Sequence, residues 1–151
     1  MFSSTARCSI GVTAFALACF AFASPAQISA IRFDGVYQAL VQPPPDWPLK
    51  PTKDLFLYCR FYPDGSVVSV LSTATPMKVA TLLRRHLELS GDGTYSISGD
   101  RLQFRVATRH GYIDYWGRIG RDSLQLSSYS HVSHSRDTVR QYSFFPVRFA
   151  K

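Results

Sequence analysis

Cysteine is scarce in this sequence, and two of its three cysteines lie within the first 26 residues. If Cys8 and Cys19 leave with a secretion signal, Cys59 remains alone, so no intramolecular disulfide can form and stability has to come from packing. Cys59 lies in the middle of an apolar run with no histidine close in sequence. We therefore predict that it is a buried, small apolar side chain rather than a nucleophile.

Motifs of known enzymes are missing as well. The sequence has no Gly-x-Ser-x-Gly elbow, and its lone carboxylates do not suggest the opposed pair of a glycosidase. His131 and His134, together with Asp137, are candidate metal ligands in a polar loop, although zinc needs ligands that are held in place in advance. The sequence predicts a non-catalytic protein without a cofactor. An enzyme that uses Asp114 or the loop of His131 and His134 is the alternative.

Asp114 stands among aromatic residues on a predicted strand. Burial would raise the pKa of its carboxyl group, because a low-dielectric interior disfavours charge, unless an arginine such as Arg105 or Arg118 pairs with it. A structural cross-strand ion pair and a role in ligand binding or proton transfer both fit this position.

No apolar run is long enough to span a bilayer comfortably. Residues 8–22 form an uncharged stretch after Arg7, and the small-x-small pattern Ala21-Phe22-Ala23 follows. This order is typical of a cleavable secretion signal over residues 1–23. We expect cleavage after Ala23, with cleavage after Ala26 as the alternative, and a periplasmic or secreted protein.

Cys19 allows another interpretation of the same segment. The stretch Ala16-Leu17-Ala18-Cys19 resembles a bacterial lipoprotein box, in which the cysteine is lipidated and becomes the first mature residue. Only in that case do we expect contact with a membrane.

Acidic residues are few relative to basic ones. Ten Asp and Glu stand against 17 Lys and Arg, which gives a formal net charge of +7, and removal of the signal takes away only Arg7. A positive surface favours anionic partners such as envelope polymers. The arginines are scattered rather than gathered in one run, which argues against nucleic acid as the partner.

Residues 27–151 have the length of one domain, expected to be a monomer. Residues 42–51 contain five prolines around Trp47. Proline has no N–H to donate and a fixed φ, so this segment is predicted to be an extended covering loop, with Trp47 closing one end of the core.

Apolar and β-branched runs alternate with turn signals through the rest of the chain, which is typical of a β-meander. Pro63-Asp64-Gly65 and Gly99-Asp100 are hairpin signals. Eight strands are predicted, over residues 33–41, 55–62, 66–71, 94–98, 101–108, 112–119, 123–130 and 140–148.

One helix is predicted over residues 76–89, with Thr75 as its N-cap and Pro76 at its first position. The strands between residues 55 and 71 lack clean alternation of apolar and polar residues, which indicates that both of their faces are covered. The apolar stripe of the helix is the natural cover for the outer face.

An eight-strand meander removes its exposed edges by closing into a barrel. Gly35-Val36-Tyr37 in the first strand and Arg148 at the end of the last resemble the Gly-x-Trp motif and the packed arginine of lipocalin-like (calycin) barrels, with Tyr in place of Trp. The helix falls between the third and fourth strands, whereas typical lipocalins carry theirs after the barrel. The resemblance implies a small apolar ligand inside the barrel.

The leading interpretation is an exported binding protein whose aromatic side chains line a cavity for a small apolar or amphipathic ligand. The candidate ligand-binding residues are Tyr37, Trp47, Tyr95, Phe104, Asp114 and Trp116. The alternative is a filled barrel that acts through its basic surface on an envelope component.

Overall fold

The computed structural model describes residues 30–42, 52–83 and 90–149. The predicted secretion signal, Trp47 with most of the proline-rich loop, and residues 84–89 of the predicted helix lie outside these ranges. The strands are β1 (Gly35–Val41), β2 (Leu55–Phe61), β3 (Ser66–Ser72), β4 (Gly91–Ser98), β5 (Arg101–Thr108), β6 (Gly111–Ile119), β7 (Ser123–Ser130) and β8 (Ser135–Pro146). One short helix, α1 (Pro76–Val79), lies between β3 and β4.

Each strand pairs antiparallel with the next, and β8 pairs with β1 to close the barrel. The closing register sets Gly35 opposite Pro146 and Tyr37 opposite Phe144. The predicted fold class, an antiparallel eight-stranded meander barrel with one inserted helix, is confirmed. Closure leaves no strand of the sheet with an unpaired edge.

Tight turns make neighbour pairing possible, and two of them depend on glycine. Gly65 has a φ of 86° and Gly99 a φ of 62°, which is the left-handed region that side chains with a Cβ rarely adopt. Asp64 supports the first turn, because its Oδ1 accepts hydrogen bonds from the backbone N–H and the hydroxyl of Ser66.

One end of the barrel is packed with aromatic rings; we call it the closed end. Phe61 lies at its centre and makes edge contacts with Tyr37, Tyr95 and Phe104 at ring-centroid distances of 5.7, 5.2 and 5.4 Å. Such edge-to-face pairs add to the stabilisation from burial. In β5 the buried and exposed residues alternate, as the sequence predicts, with Leu102, Phe104 and Val106 facing inward.

The segment before β1 completes the closed end. Ile31 is buried in the core, and the backbone N–H of Arg32 donates to the hydroxyl oxygen of Tyr37 at 2.9 Å. The Arg32 guanidinium also forms ion pairs with Asp34, at 2.6 Å, and with Asp122 in the turn between β6 and β7, at 2.9 Å. These contacts tie the beginning of the described chain to the far side of the barrel.

The arginine at this end is not the one expected from the sequence. Arg148 lies two residues beyond the end of β8 and is exposed. The guanidinium of Arg32 lies instead 4.0 Å from the centroid of the Phe144 ring, and that ring contacts Tyr37. Position 35 requires glycine for a steric reason, because a Cβ on Gly35 would lie 2.1 Å from a backbone oxygen of β8.

The outer face of β2 and β3 is covered by α1 and the residues that follow it, as predicted. Val79, Ala80 and Leu83 are buried against a cluster that contains Tyr58 and Val68. The sequence did not indicate that Val147 and Phe149, after β8, join the same cluster.

The regular helix ends at Val79 and the chain continues in turns through Leu82, so residues 80–83 depart from the predicted helix over 76–89, whose last six residues lie outside the described ranges. The backbone oxygen of Leu83 accepts a hydrogen bond from the hydroxyl of Tyr62 at 2.8 Å, which holds the following turn against the barrel. Among the residues that the structure describes, no helix combines the length and the apolar character needed to cross a membrane.

A β-bulge in β8 changes which side chains face the interior. Residues 138 and 139 stand opposite the single residue Ser127 of β7, between the pairs Leu126↔Arg140 and Ser128↔Asp137. An extra residue shifts the two-residue alternation of a strand. Consequently Asp137 and Arg140, although three positions apart, both line the inside of the barrel.

Candidate functional site

Opposite the packed aromatic rings, the described residues of the barrel line a cavity of about 740 Å³. This volume lies within the range of about 300 to 1,000 Å³ that is common for small-molecule sites. The wall is formed by strand ends and turns from around the barrel, so residues distant in sequence meet there. We call this space the mouth cavity.

Part of the lining of the mouth cavity is apolar. Leu57 and Ile113 line it and pack against the main core. Tyr115 also lines it, and its ring stacks on Phe104 at a centroid distance of 4.6 Å. Tyr115 therefore separates the cavity from the aromatic packing of the closed end.

The mouth cavity is also rich in hydroxyl groups. Its lining includes Ser69, Ser90, Thr108, Ser128, Ser130, Ser133 and Ser135. Ser69 is buried opposite Cys59, and Ser128 lies opposite Tyr115. The Ser130 hydroxyl accepts from the backbone N–H of Val132 and of Ser133 in the β7–β8 turn, each at 3.3 Å. Hydroxyls both donate and accept, so these groups suit a polar group of either kind.

An ion pair lies in the wall of the mouth cavity. Arg140 Nη2 donates to Asp137 Oδ2 at 2.8 Å, and the Arg140 side chain is 24% exposed. Burial raises the pKa of the Tyr115 and Tyr142 hydroxyls well above the usual value, with a smaller opposing effect of Arg140. Both phenols therefore stay protonated at neutral pH.

Cys59 lies deeper and is fully buried in the core. Burial raises the pKa of its thiol to about 12, so the nucleophilic thiolate is absent at neutral pH. The prediction of a buried apolar cysteine is confirmed.

Three of the six candidate ligand-binding residues lie together in the closed end. Tyr37 and Phe104 are nearly inaccessible to solvent, and the hydroxyl of Tyr95 donates to the backbone oxygen of Tyr62 at 2.8 Å. None of the three lines the mouth cavity. Trp47 lies outside the described residues. A ligand contact of these residues stays a prediction.

The other two candidates, Asp114 and Trp116, lie on the outer surface of the barrel, on the side of β6 opposite to the inward-facing Tyr115. The Asp114 carboxylate accepts two hydrogen bonds from Arg105, at 2.6 and 2.9 Å, and contacts Nε2 of His131 at 2.8 Å. These partners, Arg105 first, lower the pKa of Asp114 to about 2. The pair with Arg105 is the structural cross-strand ion pair that was expected from the sequence as one of the two possible roles of Asp114.

The contact with His131 was not predicted, because it depends on strand register. Asp114 pairs with Tyr129 across β6 and β7, and His131 follows two residues later. Residues two apart on a strand point to the same side, so the histidine reaches the carboxylate across 17 positions of sequence.

The loop residues suggested as metal ligands face different partners. His131 contacts Asp114, whereas Asp137 pairs with Arg140 inside the mouth cavity. His134 lies in the β7–β8 turn with a φ of 51°. Within the described parts of the chain, no group of three or more His, Cys, Asp or Glu side chains is arranged to hold a metal ion.

Comparisons with protein-family models, with curated proteins and with solved structures found no match for this chain. The barrel has the strand number and closure of lipocalin-like proteins, and the likeness goes no further than this architecture.

Proposed function

We propose that this protein is an exported, non-catalytic binding protein that holds one small amphipathic ligand in the mouth cavity. The observation that carries the proposal is the division of the barrel interior. Aromatic rings fill the closed end, whereas the described residues line a cavity of about 740 Å³ at the other end. This division favours the ligand-holding hypothesis over a completely filled barrel.

The two kinds of lining in the mouth cavity suit two kinds of group in a ligand. Leu57 and Ile113 offer apolar surface that gains free energy when water leaves it. The serine hydroxyls and the Arg140–Asp137 pair offer hydrogen bonds within the same cavity. An apolar body with a polar end would satisfy both, which is the usual composition of small-molecule sites.

The signal-like segment at residues 1–23 supports export. The ligand would then be met in the periplasm or outside the cell. Lipidation at Cys19 remains the alternative and would add a membrane anchor without changing the cavity.

Native mass spectrometry of the exported protein, purified from the cells that make it, tests the proposal. We expect a native mass above the denatured mass, with the difference lost on organic extraction. Leu57→Trp and Ser128→Trp each place an indole in the mouth cavity and should remove the extra mass. Gln103→Trp, on the exposed outer wall, is the matched control and should keep it.

Circular dichroism shows whether each variant keeps its strands, so that a failure to fold is not mistaken for a lost ligand. Two results together would overturn the proposal: a wild-type protein without extra mass, and an interior that takes up no apolar fluorescent probe.

A further inference from the structure

A second surface stands apart from the mouth cavity, on the outer wall formed by β5 to β8. Its outward side chains combine arginines with aromatic rings, and we call it the arginine face. Its members are Arg101, Gln103, Arg105, Tyr112, Asp114, Trp116, Arg118, Tyr129 and Arg136. The same side of β2 and β3 is covered by α1, whereas all four arginines here are exposed.

The charge of this wall is mainly positive, although Asp114 pairs with Arg105 and Asp100 lies 3.6 Å from Arg118. Between residues 101 and 136 the chain has six arginines, two aspartates, no glutamate and no lysine. Arginine differs from lysine in its planar guanidinium, which meets a carboxylate with two parallel hydrogen bonds. Arg105 already makes that contact with Asp114, through Nε at 2.6 Å and Nη2 at 2.9 Å.

The aromatic rings of the arginine face lie next to guanidinium groups. Arg136 lies 5.5 Å from the centroid of Trp116, and Arg105 lies 5.7 Å from that of Tyr112. These cation–π contacts hold the arginines in place. Each guanidinium lies near one face of its ring, which makes that face less accessible to the stacked base of a single-stranded nucleic acid.

The spacing of the arginines suits a polymer. Arg136 lies level with Asp114 in the register, and Asp114 is four residues from Arg118 on β6, or roughly 13 Å at about 3.3 Å per strand residue. No single carboxylate reaches both Arg118 and Arg136, whereas a chain with repeated carboxylates does. Arg118, beside Arg101 in the register, and Arg136, on β8, extend the same positive surface across the barrel wall.

A membrane surface fits this wall less well than a soluble polymer does. The outward positions of β5, β6 and β7 carry no branched aliphatic side chain, and Gln103, Gln125 and Ser127 lie between the charged residues. Amide and hydroxyl groups of this kind hydrogen-bond readily to sugar hydroxyls.

We propose that the arginine face binds a linear polysaccharide that carries carboxylate groups along its chain. The polymer lies across β5 and β6, its carboxylates pair with Arg101, Arg118 and Arg136, and its hydroxyls meet the amide of Gln103. This binding does not depend on the mouth cavity or on any ligand in it.

Isothermal titration calorimetry with polygalacturonate oligomers, at low and at physiological salt, tests the proposal. The variant Arg101→Gln/Arg118→Gln/Arg136→Gln should lose about tenfold or more in affinity, because three exposed ion pairs are removed. The matched control is Lys53→Gln/Lys78→Gln/Arg148→Gln, which removes the same charge from exposed positions outside the face. It should change the affinity by less than about threefold.

Any of the following outcomes would overturn the proposal. Equal losses in the two triple variants would indicate attraction by net charge alone. Tighter binding of a single-stranded oligonucleotide of equal charge, or of vesicles that contain anionic lipid, would point to a different partner, and no binding of the oligomer would exclude this one. The arginine variant should still show the extra native mass expected for a ligand in the mouth cavity. A loss of polysaccharide binding can then be distinguished from a loss of that ligand.

Discussion

Asp114 keeps its charge on a wall rich in aromatic residues because two cationic or donor groups hold its carboxylate. Arg105 contributes two hydrogen bonds and His131 a third contact, so the pKa of Asp114 falls from the usual 3.8 to about 2. A carboxyl group whose pKa is lower in the folded state stabilises the fold above its unfolded pKa. That contribution disappears as the pH falls from about 4 towards 2.

Asp114→Asn is therefore expected to lower the free energy of unfolding at pH 6 by about 1 kcal/mol or less, the size found for exposed ion pairs. At pH 2 the difference from the wild type should be much smaller. Urea unfolding followed at both pH values measures the change. An equal difference at the two values would contradict a role for the ionised carboxylate.

Cys59 is predicted to resist chemical modification in the folded protein. Its thiol is buried and has a pKa of about 12, so alkylation by iodoacetamide at pH 8 should leave the native protein unlabelled over an hour. In urea the same reagent should label it completely, as shown by intact mass. Rapid labelling of the native protein would mean that the interior near Cys59 opens easily.

At the scale of elements, the segment around α1 stabilises the barrel from outside. Leu83 is fully buried under this cover, whereas its neighbour Leu82 is 43% exposed. Because the two side chains are chemically identical, substituting each in turn shows the effect of burial alone on stability.

Leu83→Ala should lower the free energy of unfolding by about 2 to 4 kcal/mol, because it removes buried methyl groups and leaves a cavity. Leu82→Ala should cost about 0.5 kcal/mol or less. Chemical denaturation of both variants measures the difference. Similar losses in the two would mean that the cover does not pack on β2 and β3 as described.

Elements bounded by local signals were predicted well from the sequence. The boundaries of β5 and β7 agree with the predicted strands, since glycine turns flank β5 and alternating apolar residues mark its inner face. β8 begins at Ser135, earlier than predicted, because the bulge breaks the alternation and its first residues are polar. The end of α1 at Val79 was not predicted either, because the apolar spacing of the following residues fits a longer helix.

At the scale of the whole molecule, closure was predictable because most connections are short turns between successive strands and an open eight-strand meander would leave two edge strands unpaired. The site was less predictable. Aromatic residues were expected around the cavity, yet Tyr37 and Phe104 pack with other rings, and serines line the opening. Sequence pattern shows which residues face inward, but not how far the interior is filled at each level.

The exported protein is predicted to begin at Ser24 if cleavage follows Ala23, or at Gln27 if it follows Ala26. Intact mass and N-terminal sequencing of the secreted or periplasmic protein distinguish these two ends. A first residue of Cys19 with attached lipid would support the anchored alternative. A protein that keeps Met1 and remains in the cytosol would contradict export.

The unequal filling of the barrel has a consequence for how such a chain can evolve. The rings around Phe61 belong to the main core cluster, whereas the serines that line the mouth cavity do not. Substitutions at the exposed serine positions are therefore expected to cost less stability than substitutions among the rings. Homologues should preserve the aromatic half and diverge around the mouth cavity.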